Sequence, residues 1–482
     1  MPLQPRLFID GHWLSDAGGG WRELVDPATE AVVGSLPLAD AAQVDAAAAS
    51  AAHGFEVWRR CSALERNRVL VRAAQLMRER AQAMAADLST EQGKPLAEAL
   101  REVTLSADIL DFQAEEARRL YGRTVPPRVD GVLSHAVLRE PVGVVAAFTA
   151  WNFPVNLPSR KLAAALAAGC SVVLKPAEET PTSAMHLVQC LLDAGLPPQA
   201  IQLLCGDPAM VSSRLIAHRA IAKVSLTGSV AVGQLLAEQC ARHHKRFAGE
   251  LGGHAPVIVC DDADLPTVLK LAVPAKFRNA GQVCASPIRF VVARAQYAAF
   301  VQGFADAARA LRLGPGLDAA TQMGPLAHAR RLKDMRHFVD DARAHGARIV
   351  CGGQRAARPG WFFEPTVIAD APPASRVMRV EPFGPIAVVQ PFDTLDEAIA
   401  LANQPDNPTR YALAAYAFTR DIATAHRLGA ELDAGMVGIN HFGVSQPELP
   451  FGGRGASGDG VEMGAEGILA YTHLKTITLG VH

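Results

Sequence analysis

A cysteine in a polar, glycine-containing segment is the strongest nucleophile candidate in the chain. Cys284 lies within residues 277–286 (FRNAGQVCAS), where a glycine and a glutamine precede the thiol. Lys276 and Arg278 raise the local positive potential, which favours the thiolate, the reactive form of cysteine. The alternative is that Cys284 is a small core residue, as we expect for the other seven cysteines.

Two further segments carry groups that could assist a nucleophile. Glu250 stands between an apolar approach and the pair Gly252-Gly253. A desolvated carboxylate there has the raised pKa of a general base, whereas an exposed one is an ordinary turn residue. Asn152 follows an apolar strand and offers a neutral amide that could stabilise an oxyanion. Its alternative is a satisfied turn amide.

Two strand ends could bind a phosphorylated ligand. Residues 223–233 (KVSLTGSVAVG) are an apolar run that passes through Gly228 and Ser229 into a helical pattern, so a helix N-terminus is presented to an anion. The segment lacks the usual GxGxxG spacing and is equally compatible with a structural turn. Lys175 and Glu178 follow another apolar run and could hold ribose hydroxyls, or form a solvated charged turn.

Hydrophobic periodicity predicts the elements that position these residues. Residues 40–120 have the spacing of amphipathic helices. From Pro141 onward, short apolar runs alternate with helical patterns, which indicates mostly parallel sheets covered on both faces. The runs that we predict as strands are 142–148, 171–174, 201–204, 223–226, 256–259, 289–292, 348–350 and 386–390.

Composition excludes several classes of protein. The chain has 482 residues, of which 49% are hydrophobic and 20% charged, and its formal net charge is −1. These values are typical of a globular protein of several domains and give no electrostatic footprint for nucleic acid or a membrane surface. The cysteines show no metal-ligand or disulfide spacing, so we predict no metal site and a cytoplasmic location.

Seven motifs in the same order give a resemblance to the NAD(P)-dependent aldehyde dehydrogenase superfamily over nearly the whole chain. They are residues 151–154 (WNFP), 175–178 (KPAE), 227–229 (TGS) with Gly233, 250–253 (ELGG), 281–284 (GQVC), 381–385 (EPFGP) and 450–453 (PFGG). Any one of them could arise by chance, but the ordered set could not.

The resemblance implies a role for each motif. Cys284 adds to the aldehyde carbon, Asn152 and the backbone N–H of Cys284 hold the oxyanion, and Glu250 activates the water that hydrolyses the thioester. Glu462 resembles a further family carboxylate and is a weaker candidate for proton relay. The residues implied in cofactor binding are Trp151, Lys175, Glu178, Gly228, Ser229, Gly233, Leu251, Glu381 and Phe383. We expect NAD, with NADP possible, because Glu178 repels a 2′-phosphate.

Within the superfamily the chain is most similar to succinate semialdehyde and 2-oxoglutarate semialdehyde dehydrogenases. That similarity implies that Arg160, Arg278 and Ser445 bind a distal carboxylate, for which a guanidinium is a matching partner. We therefore predict oxidation of a short semialdehyde, with succinate semialdehyde favoured. The alternatives are 2-oxoglutarate or glutarate semialdehyde, or a broad-specificity aldehyde dehydrogenase in which the arginines are structural.

The resemblance also implies an organisation in three parts and an α/β fold with two doubly wound parallel-sheet lobes. We predict a Rossmann-like NAD-binding domain from residues 1–121, 142–251 and 443–462, and a catalytic domain from residues 252–442. Residues 122–141 and 463–482 form a β oligomerisation arm, since neither segment has a place in a doubly wound lobe. The expected partners are a small aldehyde and further copies of the chain, as a homodimer or homotetramer, with no nucleic acid or membrane.

Overall fold

Each of the eight runs predicted as strands overlaps a strand of the structure, and residues 40–120 are mainly helical. Strands at 246–250, 366–369, 414–418 and 436–439 were not predicted. The computed structural model describes residues 3–15, 17–404 and 407–481. Residues 1, 2, 16, 405, 406 and 482, which the predicted domain ranges include, lie outside the described residues.

The strands in chain order are β1 (Leu7–Ile9), β2 (His12–Leu14), β3 (Trp21–Val25), β4 (Val32–Pro37), β5 (Arg123–Val125), β6 (Val132–Pro141), β7 (Val144–Phe148), β8 (Ser171–Lys175), β9 (Ile201–Leu203), β10 (Ile221–Thr227), β11 (Arg246–Glu250), β12 (Pro256–Val259), β13 (Arg289–Ala293), β14 (Arg348–Cys351), β15 (Thr366–Ala369), β16 (Ile386–Phe392), β17 (Tyr411–Ala412), β18 (Ala414–Phe418), β19 (Met436–Ile439), β20 (Arg454–Gly455), β21 (Gly458–Asp459) and β22 (Thr472–Gly480). The helices are α1 (Ala41–Trp58), α2 (Ala63–Glu79), α3 (Ala81–Gln92), α4 (Leu96–Ala117), α5 (Asn156–Ala168), α6 (Pro181–Asp193), α7 (Pro208–Ala217), α8 (Val230–Arg242), α9 (Leu265–Phe277), α10 (Arg294–Arg309), α11 (Ala329–Ala344), α12 (Arg376–Arg379), α13 (Leu395–Asn403), α14 (Ile422–Glu431) and α15 (Gly464–Leu469).

Two large sheets organise the molecule. The first has the order β2-β1-β9-β8-β7-β10-β11-β21, in which the five strands from β9 to β11 are parallel. The second has the order β14-β15-β16-β13-β12-β18-β19 and is parallel except for β14. The predicted fold class, two lobes built on mostly parallel sheets, is confirmed.

Both faces of each sheet are covered. In β7, Val145 and Ala147 pack into a core that also includes residues of the second sheet, whereas Val144 and Ala146 pack into a separate core on the opposite face. The strands are therefore buried on both faces, as continuous apolar runs predict. The carboxyl ends of the parallel strands carry the loops in which the candidate site residues lie.

Strands from the two segments assigned to an arm form a sheet of their own, whereas residues 464–469 of the second segment form helix α15. Strand β6 pairs antiparallel with β22, from Thr472 opposite Pro141 onward, and with β5 on its other side. Leu474, Ile477 and Leu479 of β22 are exposed. Pairing of this arm with another subunit stays a prediction. Among the described residues, no helix is both long and apolar enough to span a bilayer.

Candidate active site

Cys284 lies in the loop between the short 3-10 helix Arg278–Gly281, which follows α9, and strand β13. Asn279 and Ala280 both have left-handed backbone conformations, with φ of 49° and 52°, which non-glycine residues rarely adopt. The loop is held from outside, because the Tyr416 hydroxyl donates to the Ala285 carbonyl at 2.8 Å. Gln282 Nε2 donates to the Asn279 carbonyl at 2.9 Å. The half-buried thiol is thus carried on a constrained backbone.

Glu250 ends strand β11 beside this loop and is buried. Burial, and next the charge of Glu462, raise the pKa of Glu250 to about 7. Neither of its carboxylate oxygens accepts a hydrogen bond of ordinary geometry among the described residues, but the Cys284 thiol lies close enough to lower the pKa of Glu250 as a donor. The loop after it touches the cysteine loop so closely that a Cβ on Gly253 would collide with the Cys284 carbonyl. Of the two alternatives for Glu250, the structure has the desolvated carboxylate, with a pKa suited to a base near neutral pH.

The expected activation of Cys284 by its basic sequence neighbours is wrong. Burial, and next the charge of Glu250, hold the pKa of the Cys284 thiol well above its ordinary value. Arg278 is exposed. Lys276 is buried and donates to Ser286 Oγ at 3.2 Å, and burial lowers its own pKa to about 7. The thiol therefore rests protonated beside a potential base, and deprotonation has to accompany the reaction.

Asn152 faces the cysteine loop from the end of β7. Its Nδ2 donates to the Gln282 carbonyl at 3.1 Å, and the side chain is buried. An amide nitrogen carries two hydrogens, so one N–H remains for another acceptor. The backbone carbonyl of Asn152 accepts from Asn279 Nδ2 at 2.9 Å. Asn152 is thus joined to the loop of Cys284, rather than bonded within its own turn.

The predicted diphosphate turn lies directly against the Glu250 segment. Ser229 caps helix α8 by accepting from the Val232 N–H at 3.4 Å, and the Gly228 N–H donates to the Glu250 carbonyl at 3.1 Å. A Cβ on Gly233 would collide with the Leu251 side chain. The glycine at position 233 therefore allows helix α8 to pack closely against Leu251. The N-terminus of α8 lies next to the candidate base Glu250 as a result.

The remaining predicted cofactor residues form two groups. Lys175 and Glu178 are paired and buried at the end of β8. On the other side, Trp151 meets Phe383 edge to face at a centroid distance of 5.5 Å, and Glu381 Oε1 accepts from the Gly253 N–H at 3.1 Å. A helix N-terminus flanked by buried carboxylates that can accept from hydroxyls fits a dinucleotide with two riboses.

Two of the three predicted anion-binding residues are in contact. Arg160 is buried and its Nη2 donates to Ser445 Oγ at 3.1 Å, while its Nε donates to Asn156 Oδ1 at 2.8 Å. Its guanidinium lies 4.2 Å from the centroid of the Phe451 ring. Arg160 Nη1 is buried without a hydrogen-bond partner in the described part of the chain. Arg160 also lowers the pKa of both Glu250 and Cys284, which places its charge at the reacting centre.

Arg278 differs from Arg160 in its surroundings. It is exposed, and within residues 3–15, 17–404 and 407–481 it forms no ion pair or hydrogen bond through its side chain. Its charge acts on Glu98 and on Tyr416, whose hydroxyl supports the cysteine loop. Arg278 is therefore not engaged in a structural ion pair, but it is not part of the buried Arg160 cluster.

One buried lysine near the site was missed by the sequence analysis. Lys161 Nζ pairs with Glu462 and donates to Ser225 Oγ at 3.1 Å, so it holds the carboxylate whose charge raises the pKa of Glu250. Its only sequence signal is its position directly after Arg160 on helix α5. Tyr416 was missed as well, because nothing in strand β18 connects it to a loop 131 residues away.

Comparison with known proteins gives consistent matches over the whole chain. A family model described as the aldehyde dehydrogenase family matches residues 13–477. The chain is 47% identical over 471 residues to 4-(hydroxymethyl)benzenesulfonate dehydrogenase of Comamonas testosteroni, covering 98% of this chain and 97% of that protein. It is 41% identical to 3-sulfolactaldehyde dehydrogenase of Pseudomonas putida, covering 99% and 97%. It is 39% identical to an NADP-dependent succinate-semialdehyde dehydrogenase of Escherichia coli, covering 99% and 98%.

Solved structures agree with these relatives. An NADP-dependent enzyme of Escherichia coli has a TM-score of 0.96 at 39% identity, covering 99% of this chain and 98% of that one. The NAD⁺ complex of an aldehyde dehydrogenase from Bacillus cereus has a TM-score of 0.96 at 32% identity, covering 100% and 97%.

Proposed function

Because the chain belongs to the aldehyde dehydrogenase family, we propose that it oxidises aldehydes that carry an anionic group remote from the carbonyl. The enzyme uses NAD or NADP, which supplies the hydride acceptor. The observation that carries the proposal is the buried guanidinium of Arg160, whose Nη1 has no protein partner among the described residues. A buried cation without a partner is costly, and a substrate anion would satisfy it.

The candidate residues divide the reaction between them. The Cys284 thiol releases its proton to solvent as its sulfur forms a bond to the carbonyl carbon, and the oxyanion accepts from Asn152 Nδ2 and from the Cys284 N–H. Loss of hydride from the thiohemiacetal leaves a thioester on Cys284. Glu250 then takes a proton from the water that attacks this thioester, which releases the acid and restores the thiol. Removing a single oxyanion donor typically lowers turnover by about 100- to 1,000-fold.

Two classes of anion fit the Arg160 site. Succinate semialdehyde is the carboxylate candidate, and 2-oxoglutarate and glutarate semialdehydes are its longer relatives. A sulfonated aldehyde is the second candidate, because the two relatives at 47% and 41% identity are each named for a compound that carries a sulfonate group. Both anions present oxygens that a guanidinium and the Ser445 hydroxyl can bind together.

Matched pairs of substrates test the proposal. We would measure kcat/KM with saturating NAD for succinate semialdehyde beside butanal, and for 4-formylbenzenesulfonate beside benzaldehyde. A preference of about 12- to 140-fold or more for at least one anion supports an anion site, since one charged contact contributes about 1.5–3 kcal/mol. The pair with the larger ratio identifies the anion. Near-equal values in both pairs contradict the proposal and favour a broad-specificity enzyme.

We further propose that NAD is preferred to NADP. Glu178 is buried and paired with Lys175, so its carboxylate is placed to accept from ribose hydroxyls and its partner lysine is not free for a 2′-phosphate. The proposed location is the cytoplasm, which agrees with eight cysteines that are all free.

The domain assignment is also a proposal. Residues 1–121, 142–251 and 443–462 would bind the cofactor, and residues 252–442 would carry the nucleophile. The arm of β5, β6 and β22 would join subunits in a homodimer or homotetramer, since strand β22 exposes leucine and isoleucine side chains. Sedimentation of the full chain, beside a variant with Leu474 and Ile477 replaced by glutamate, would test the arm.

A further inference from the structure

A fully buried ion pair lies outside the residues assigned above. Lys94 follows helix α3 and Glu102 lies in α4, and the two side chains are 0% and 1% exposed. Lys94 Nζ and Glu102 Oε2 are 2.5 Å apart. Neither residue belongs to a motif that the sequence analysis singled out. A buried ion pair contributes little net stability compared with apolar residues of the same size, so its presence calls for another account.

Both members of the pair bond to the segment that carries Asn152. Lys94 Nζ donates to the Asn152 carbonyl at 2.8 Å. Glu102 Oε1 accepts from the backbone N–H of Val155 at 2.9 Å and of Asn156 at 3.1 Å. The pair therefore holds residues 152–156 at both ends, where the chain turns from β7 into helix α5.

The same contacts extend to the anion site. Asn156 is the first residue of α5, and its Oδ1 accepts from Arg160 Nε at 2.8 Å. Glu102 thus fixes the backbone of the residue that orients the Arg160 guanidinium. Lys94 also lies 4.1 Å from the centroid of the Phe153 ring, which restricts the ammonium further. The charged groups have no freedom to re-orient without moving the turn.

We propose that Lys94 and Glu102 are positioning residues that hold the Asn152 amide and the start of helix α5 in the orientation the reaction requires. The proposal rests on the proposed role of Asn152 as an oxyanion donor. A displacement of about 1 Å at a reacting group can lower the rate by about 100-fold. The Lys94 ammonium holds the Asn152 carbonyl, and the Glu102 carboxylate holds the backbone N–H groups of Val155 and Asn156. These contacts limit that displacement.

The test uses Lys94→Met, Glu102→Gln and the double variant of the full-length enzyme. We would measure single-turnover NADH formation at saturating substrate, KM for NAD, and Tm. We expect each single variant to lose about 10- to 100-fold in single-turnover rate, with little change in KM for NAD. The double variant leaves neither member of the ion pair as a lone buried charge, so its Tm should recover toward that of the parent. Its rate should stay low, because the Asn152 carbonyl keeps the Asn279 amide but still lacks the Lys94 ammonium as a donor.

Arg66→Met is the matched control. Arg66 donates to the Ala167 carbonyl at 3.0 Å, so it holds the opposite end of helix α5. Its loss should lower Tm without a comparable loss of single-turnover rate. If the double variant recovers the parent rate together with Tm, or if Arg66→Met lowers the rate as much as Lys94→Met, the pair is merely structural and the proposal is wrong.

A double-mutant cycle with Asn152→Ala tests the route of the effect. If Lys94 acts through Asn152, Lys94→Met should have little further effect on the rate in the Asn152→Ala background. Fully multiplicative effects overturn the positioning role. A parent-like rate for Asn152→Ala alone would instead refute the oxyanion role, and with it this proposal, so the two failures are distinguishable.

Discussion

Replacing Arg160 by methionine should remove the preference for anionic aldehydes and spare uncharged ones. Methionine keeps an apolar side chain against Phe451, but it removes the guanidinium that contacts Ser445 and Asn156. Truncating one partner of a buried charge pair costs about 2–5 kcal/mol, and 1.4 kcal/mol is a factor of ten. We therefore expect kcat/KM for the preferred anionic aldehyde to fall by about 30- to 4,000-fold.

The assay compares each anionic aldehyde with its uncharged partner, both in the parent and in the variant. Butanal and benzaldehyde should lose far less than succinate semialdehyde or 4-formylbenzenesulfonate. Arg278→Met serves as the comparison variant: Arg278 is exposed, so its loss should cost at most about fivefold, the scale of a surface ion pair. If Arg160→Met lowers kcat/KM equally for charged and uncharged aldehydes, Arg160 is structural and the anion site does not exist.

Four further predictions follow from the site. Cys284→Ala should abolish NADH formation. Alkylation of Cys284 in the parent should be slow at pH 7 and accelerate as the pH rises, because burial and Glu250 raise the pKa of the thiol. Fast alkylation at pH 6 contradicts this expectation. The kcat for deacylation should rise with pH through about 7 as Glu250 loses its proton, and Glu250→Gln should give one burst of NADH without turnover. The pKa of Glu250 is about 7 in the folded protein and 4.5 in the unfolded chain, so at a pH above both values its ionisation destabilises the fold by up to about 3 kcal/mol. Glu250→Gln should therefore raise Tm at pH 8.5 and much less below pH 5. An equal shift of Tm at both pH values refutes the reasoning. Glu178→Ser should raise kcat/KM for NADP relative to NAD, and an unchanged ratio would show that the carboxylate does not select the cofactor.

The sheets could be predicted from sequence because their strands are buried on both faces. Continuous apolar runs such as 256–259 and 289–292 match β12 and β13 within a residue, since no polar alternation obscures them. The turns that follow them could be located as well, because Gly, Pro and polar residues interrupt the runs. The end of the predicted strand 142–148 therefore gave the position of Asn152, whereas strand β11, which ends at Glu250, was not predicted.

The electrostatics could not be predicted from sequence neighbours. Lys276 and Arg278 flank the cysteine loop in the chain, yet one is bonded to Ser286 and the other is exposed. The charges that act most on Cys284 come from residues 34 and 124 positions away, Glu250 and Arg160. Similarly, Lys94 lies 58 positions from the Asn152 carbonyl that it contacts. Such pairs arise only when the chain folds.

The position of Arg160 couples substrate binding to the chemistry. Its charge lowers the pKa of Glu250, which burial and Glu462 raise. An anion bound to the guanidinium offsets part of that charge, so it should make Glu250 a stronger base while the substrate is in place. We therefore expect the apparent pKa of deacylation to be higher with an anionic aldehyde than with its uncharged partner. In Arg160→Met the apparent pKa should be raised for both substrates, because the guanidinium no longer lowers the pKa of Glu250. An identical pKa for both substrates in the parent would show that the anion binds too far from Glu250 for their charges to interact.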